Sequence, residues 1–179
     1  MPKYVALLRG INVGGRHSLP MAECRRVVTD AGGLGVTTYI QSGNLVFEHD
    51  APAATLVTML AEALSASAGF DVPVMVRTAE QWADVLARNP FGEQIHTTLH
   101  VAFLDGRATA DQLDRVRALR GEAGAAFAPE RLALDGDEVY LHLPDGIGRS
   151  KLAVAFGKTK VTATVRNWRT VEKLSLIHI

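Results

Sequence analysis

The chain has a single cysteine, Cys24, in 179 residues. That excludes an intrachain disulfide framework and any metal site built from several thiolates. Cys24 shares a helix face with Val27, Val28 and Ala31, so it reads as a small core residue. As a reactive thiol it would need Arg25 or Arg26 beside it in space. No apolar run approaches the ~18 residues of a membrane span. Tyr4–Leu8 is too short for a secretory apolar region and runs into Arg9. The chain therefore reads as cytoplasmic, with no membrane partner. The six histidines, His17, His49, His96, His100, His142 and His178, show no H-x-x-x-H or H-E-x-x-H spacing. No metal and no cofactor is expected, and no G-x-S-x-G nucleophile elbow is present. Net charge is also absent: nineteen Lys and Arg balance nineteen Asp and Glu. A dedicated nucleic-acid binder usually carries a basic excess.

What is present is a globular composition, 47% hydrophobic and 21% charged, with enough chain for one domain or two small ones. The charge is unevenly spread. Residues 1–77 are balanced, 78–145 carry six basic against twelve acidic residues, and 146–179 carry seven against one. Either the basic stretch packs beside the acidic middle, or part of it faces an anionic ligand.

Hydropathy periods give an element order. Tyr4–Leu8 reads as a buried strand. A helix with Cys24, Val27, Val28 and Ala31 inward follows Ser18-Leu19-Pro20. Strands at 36–40 and 45–48 flank Ser42-Gly43-Asn44 as a hairpin tip. A helix after Pro52 and a strand at 72–77 complete β-α-β-β-α-β. Thr78 and Gln81 form a capping box ahead of the Trp82 helix, which Asn89-Pro90 stops. A strand at 99–104, a second capping box at Thr109 and Gln112, and a hairpin around Asp135-Gly136-Asp137 follow. Ser150 caps a short helix, and Thr164 is expected to cap a last helix carrying Val165, Trp168 and Val171.

The fold class is thus α+β, with two ferredoxin-like (βαββαβ-type) halves, a connecting helix and a C-terminal helix. The expected bounds are 1–77, 78–97 and 98–173. Residues 174–179, Leu-Ser-Leu-Ile-His-Ile, resemble the translation of a sequencing-adapter end and read as a non-native tail.

Three polar motifs stand out. The first is Arg9-Gly10-Ile11-Asn12-Val13-Gly14-Gly15, between a strand and a helix. It matches neither G-x-G-x-x-G nor a P-loop. It is either a tight loop, with Gly14 and Gly15 at positive φ and Asn12 bonding backbone, or a nest of N–H groups with Arg9 beside it. The second is Gln41-Ser42-Gly43-Asn44, a turn with more donors than a turn needs. The third, Arg166-Asn167-Trp168, is expected in the first turn of the last helix, where an arginine opposes the macrodipole. Gly146-Ile147-Gly148-Arg149-Ser150-Lys151 adds a basic, Gly-rich approach to a helix start.

Together these motifs point to one polar pocket for a small anionic ligand, a nucleotide or phosphorylated metabolite. Arg9, Arg149, Lys151 and Arg166 supply charge. Asn12, Gly14, Gly15, Ser42, Asn44 and Asn167 supply orientation. An RNA-binding module is the alternative and needs exposed rings on central strands, for which Tyr39 and Phe47 are the candidates. A protein-interaction domain presenting a sheet edge is a further reading. An enzyme would rest on His17, the titratable group nearest the first loop. Nothing in the sequence selects an oligomeric state.

The same stretches resemble the bacterial family catalogued as domain of unknown function 1697. The matching pieces include Leu7–Gly15, Leu19-Pro20-Met21, Thr38–Phe47, Asn89-Pro90-Phe91, Gly146–Leu152 and Arg166–Val171. The resemblance implies a two-part α+β fold and no established activity.

Overall fold

The computed structural model describes residues 1–92, 97–120 and 125–177. His96 in the connecting loop and His178 and Ile179 of the tail lie outside the described residues. The chain divides into two compact units, Met1–Asp84 with Leu174–Ile179, and Val85–Lys173.

In the first unit the order is β1 (Lys3–Leu8), α1 (Met21–Asp30), β2 (Leu34–Tyr39), β3 (Asn44–Glu48), α2 (Ala53–Ala68) and β4 (Val74–Thr78). The sheet order is β2-β3-β1-β4, with every neighbouring pair antiparallel. This is the ferredoxin-like arrangement. Tyr4, Ala6 and Leu8 of β1 join Leu45 and Phe47 of β3 in a core that also holds Cys24, Val27 and Val28 of α1. Leu56, Leu60 and Leu64 of α2, spaced four apart on one stripe, complete it. Each fully buried leucine contributes roughly 1.5–3 kcal/mol. The alternate residues Val5 and Leu7 are buried as well, which is why β1 reads as an unbroken apolar run rather than an alternating one. Helix α2 ends on Gly69 at φ 79°, whose N–H bonds Ser65 O at 3.0 Å. A side chain there would sit in the left-handed region.

Phe47 is 1% exposed, inside the helix-facing core. The expectation that it could offer a ring to single-stranded RNA is corrected by its register. Leu45 and Phe47 share the face that α1 and α2 cover, and stacking platforms use the open face.

The second unit repeats the order with β5 (Leu99–Leu104), α4 (Ala110–Ala118), β6 (Arg131–Asp135), β7 (Glu138–His142), a 3-10 turn (Ile147–Arg149), α5 (Lys151–Lys158) and β8 (Ala163–Asn167). Its sheet order, β6-β7-β5-β8, is that of the first unit displaced by four strands. Helix α3 (Ala79–Ala87) follows β4, and α6 (Trp168–Ile177) follows β8. Both capping boxes form. Thr78 and Gln81 exchange bonds of 2.8 and 3.1 Å, and Thr109 and Gln112 exchange bonds of 2.9 and 3.1 Å. No helix among the described residues is long and apolar enough to cross a membrane.

One element differs from expectation. The helix proposed from Thr164 is a strand, with Val101 opposite Arg166 and Phe103 opposite Thr164. Thr164 and Arg166 are buried, whereas Ala163 and Val165 pack on the helix-facing core of this unit. That period of two is a strand period. The cap belongs to Asn167, whose Oδ1 accepts from Thr170 N at 2.9 Å.

Two histidines are buried in this sheet. His100 on β5 and His142 on β7 are each 8% exposed, and their Nδ1 atoms have no hydrogen-bond partner among the described residues. Desolvation pulls both imidazoles below their ordinary value. At His100 a bond to the Thr98 backbone opposes the shift, and at His142 the charge of Arg131 adds to it. A depressed histidine binds fewer protons in the folded state than in the unfolded one. Stability is therefore full above the unfolded pKa near ~6.5 and is lost as pH falls through the folded pKa. Denaturation midpoints should be level from pH 8 to 7 and decline below about 6.5, by at most ~1.4 kcal/mol per pH unit for each histidine. A His100→Gln, His142→Gln chain should show a shallower decline. An unchanged slope in that chain would remove the assignment.

Candidate functional site

The first motif folds into a small hairpin. Val13 and Arg16 form an antiparallel bridge, with Arg16 N donating to Val13 O at 3.0 Å. Gly14 and Gly15 between them have φ of 57° and 74°, the paired positive values of a type I′ turn. Asn12 locks the base. Its Nδ2 donates to Leu19 O at 2.9 Å and Gln41 O at 2.8 Å, and its Oδ1 accepts from Leu19 N at 2.8 Å. The carboxamide thus ties the first motif to the second. His17 stacks on Phe70 with ring centroids 4.4 Å apart, and its Nδ1 lies 3.1 Å from Gly10 O. Arg9 N donates to Pro73 O at 3.0 Å while its guanidinium stays exposed.

The second motif closes the β2–β3 hairpin at the same end of the sheet. Leu8 N donates to Gly43 O at 2.8 Å. Gly43 has φ 82°, and a Cβ there would meet Leu8 Cβ at 2.7 Å and Ile11 Cδ1 at 2.9 Å. Only glycine satisfies both the dihedral and the contact. Asn44 is fully buried, and its Nδ2 donates to Tyr39 O at 3.0 Å and Ser42 Oγ at 2.9 Å. Asn12, Ser42 and Asn44 therefore spend side-chain hydrogen bonds within these two loops. Asn12, His17 and Ile40, all at φ near 50°, sit in these two loops. Asparagine and histidine tolerate that region, whereas a β-branched isoleucine is an outlier there.

Arg166 lies in β8, so the macrodipole argument does not apply to it. It is 7% exposed, and its Nη1 donates to Thr164 Oγ1 at 2.7 Å and Val165 O at 3.0 Å. Burial pulls its pKa down to about 10, which leaves it charged at neutral pH. Arg77 is its counterpart, also the fourth residue of its strand, paired with Val5 as Arg166 is with Val101. Arg77 is 8% exposed and donates to Val76 O at 3.2 Å. Arg77 lies outside the three polar motifs of the sequence. The available signal was an arginine followed by a capping residue and a helix in both halves, Arg77-Thr78 and Arg166-Asn167.

Arg149 and Lys151 do line a cavity. It has a volume of about 460 Å³ within the second unit and is bounded by Phe127, Gly148, Arg149, Ser150, Lys151, Val154, Ala155 and Lys158. Lys151, Val154, Ala155 and Lys158 stand at i, i+3, i+4 and i+7 of α5, one face of that helix. Leu152 and Phe156 turn the other way into the core. That spacing was the sequence signal for Val154 and Lys158, which the motif reading missed. The start of α5 is capped from within. Ser150 Oγ accepts from Ala153 N at 2.9 Å, and Glu130 Oε1 accepts from Leu152 N at 3.2 Å. Any anion in the cavity would meet side chains rather than these amides.

The structure brings the first two motifs together in the first unit, with Arg9, Asn12, Gly14, Gly15, Ser42 and Asn44 at one end of its sheet. Arg149, Lys151, Arg166 and Asn167 belong to the second unit. Of these only Arg149 and Lys151 line the cavity.

Two substitutions in the loops should move stability in opposite directions. Asn12→Ala removes three bonds and leaves Leu19 N–H without its acceptor, and should destabilise by about 2–3 kcal/mol in urea unfolding. Ile40→Asn places a residue that tolerates positive φ and should stabilise by about 1 kcal/mol. A loss of stability in Ile40→Asn would show that the Ile40 side chain holds the fold.

The fold and its motifs agree with known proteins. The chain is similar over its length to the conserved bacterial protein SP0830 from Streptococcus pneumoniae, at 25% identity, with 99% of each chain covered and a TM-score of 0.78. No curated protein matches it. A family model described as protein of unknown function (DUF1697) matches residues 1–140, through both loop motifs and β7 as far as Tyr140. The chain belongs to the DUF1697 family.

Proposed function

We propose that the second unit binds a small anionic ligand, a nucleotide or phosphorylated metabolite, in the cavity beside α5. One observation carries this reading. Among the described residues every ionisable group on the cavity wall is cationic, Arg149, Lys151 and Lys158, and none of them forms an ion pair with another described residue. Three uncompensated cations around one hollow repel one another, and a multivalent anion relieves that repulsion. Phe127, Val154 and Ala155 add an apolar wall suited to the non-ionic part of the ligand. Recognition by side chains follows from the occupied helix start, because Glu130 and Ser150 already hold Leu152 N and Ala153 N.

The chemistry this supports is binding. Among the described residues the wall holds no carboxylate, imidazole or thiol that could move a proton near neutral pH. An intracellular setting, where phosphorylated metabolites are abundant, fits this reading.

The test is thermal denaturation of the full chain with inorganic phosphate, pyrophosphate, ATP and ribose 5-phosphate at millimolar concentration. At least one phosphorylated compound should raise the midpoint, as any ligand of the folded state must. A Lys151→Ala, Lys158→Ala chain should bind that compound at least tenfold more weakly. The reading fails if no phosphorylated compound shifts the midpoint, or if the shift survives the double substitution.

A further inference from the structure

The two loops at the end of the first unit's sheet are built more rigidly than connections need to be. Asn12 clamps them to each other through Leu19 and Gln41. Gly43 packs against Leu8 and Ile11 with no room for a side chain. What this frame presents outward is unusual. Val13 at the hairpin tip is 65% exposed, and Ile40 at the neighbouring turn is 50% exposed. Arg9 and Arg16 are exposed in the same loop as Val13, with Arg16 bridged to Val13. Neither arginine forms an ion pair among the described residues, and Asp71, the acidic residue nearest in the chain to Pro73 at this end, pairs with neither.

Ile40 is the sharpest point. At φ 51° it occupies a region that β-branched residues avoid. Half exposed, it returns little burial for that strain. An isoleucine that serves neither the turn nor the core points to a use outside the folded chain.

We propose that Arg9, Val13, Arg16 and Ile40 form a docking surface for an acidic segment of a partner protein, one that pairs carboxylates with the arginines and sets an apolar side chain against Val13 and Ile40. Charge complementarity selects this occupant. A second copy joined two-fold through the same surface would set four arginines face to face. A single strand of nucleic acid would call for exposed rings, and of the rings here Tyr39 is half-buried while His17 and Phe70 stack on each other. The surface is independent of the cavity in the second unit, and either reading can fail without the other.

The test uses the full chain immobilised against a phage-displayed library of random dodecapeptides, followed by titration of the best labelled peptide. Enriched peptides should combine Asp or Glu with a large apolar residue. Their affinity should fall with added salt, and at least tenfold in an Arg9→Ala, Arg16→Ala chain. Ile40→Asn should weaken binding at least tenfold while its unfolding midpoint stays at or above that of the parent. An Arg115→Ala chain, altered in an exposed ion pair with Asp111, should bind as the parent does. The proposal is overturned if no acidic consensus emerges, or if the enriched peptides bind equally to the arginine and Ile40 variants. It is also overturned if an oligouridylate binds with the same sensitivity to those variants, which would make the surface a nucleic-acid site.

Discussion

A strand buried on both faces has no place for chemistry along its length, and this constraint organises each unit. In β1 every residue from Tyr4 to Leu8 is buried, and in β5 the same holds from Leu99 to Leu104. Desolvating a polar group in such a strand is unfavourable unless a partner meets it. Polar side chains are therefore displaced to strand ends and loops. The first two motifs begin where β1 ends and where β2 turns into β3. The second unit follows the same rule, with its basic approach to α5 placed just beyond β7. The buried exceptions are instructive. His100 and His142 remain in the sheet at the expense of their charged forms, and Arg166 stays charged with its pKa drawn down by burial.

The loops that receive this displaced polarity are self-satisfying. Asn12 and Asn44 spend their amides on backbone groups, and Gly14 and Gly15 supply a turn. Donor-rich motifs of this kind build shape first. The groups left facing solvent are the arginines and the aliphatic residues around them, and these carry the recognition proposed for the first unit. In the second unit the amphipathic helix α5 does the equivalent work, dividing Leu152 and Phe156 for the core from Lys151 and Lys158 for the cavity. In both places a structural element is completed internally before it presents charge outward.

Much of the fold was legible because its signals are local. The capping boxes at Thr78 and Thr109 announce helices through bonds spanning three residues. The apolar runs of β1 and β5 announce strands, and the repeated order announces the ferredoxin-like halves. The miss at β8 has a local cause too. Thr164 is a plausible cap, and Val165, Trp168 and Val171 follow at helical spacing. What decides for a strand is pairing with β5, 65 residues earlier in the chain at Val101–Arg166, together with the capping of α6 by Asn167. Phe47 shows the same limit, since its face depends on which side of the sheet the two helices cover.

For the candidate sites the division is similar. The sequence by itself determined where the donors and cations are concentrated, because residue type and spacing in a loop or helix are local properties. It placed the helix start at Ser150 for the same reason, and left Gly14 and Gly15 as either a turn or a nest. Only the tertiary structure decided which donors were already spent. Asn12 meets Gln41, and Glu130 meets Leu152, across 29 and 22 residues of chain. It also decided that Ile40 is held strained in the open and that Lys158 joins Arg149 and Lys151 around one cavity. Those outcomes depend on which distant segments the packed core brings within hydrogen-bond distance, and chain order alone carries no such distance.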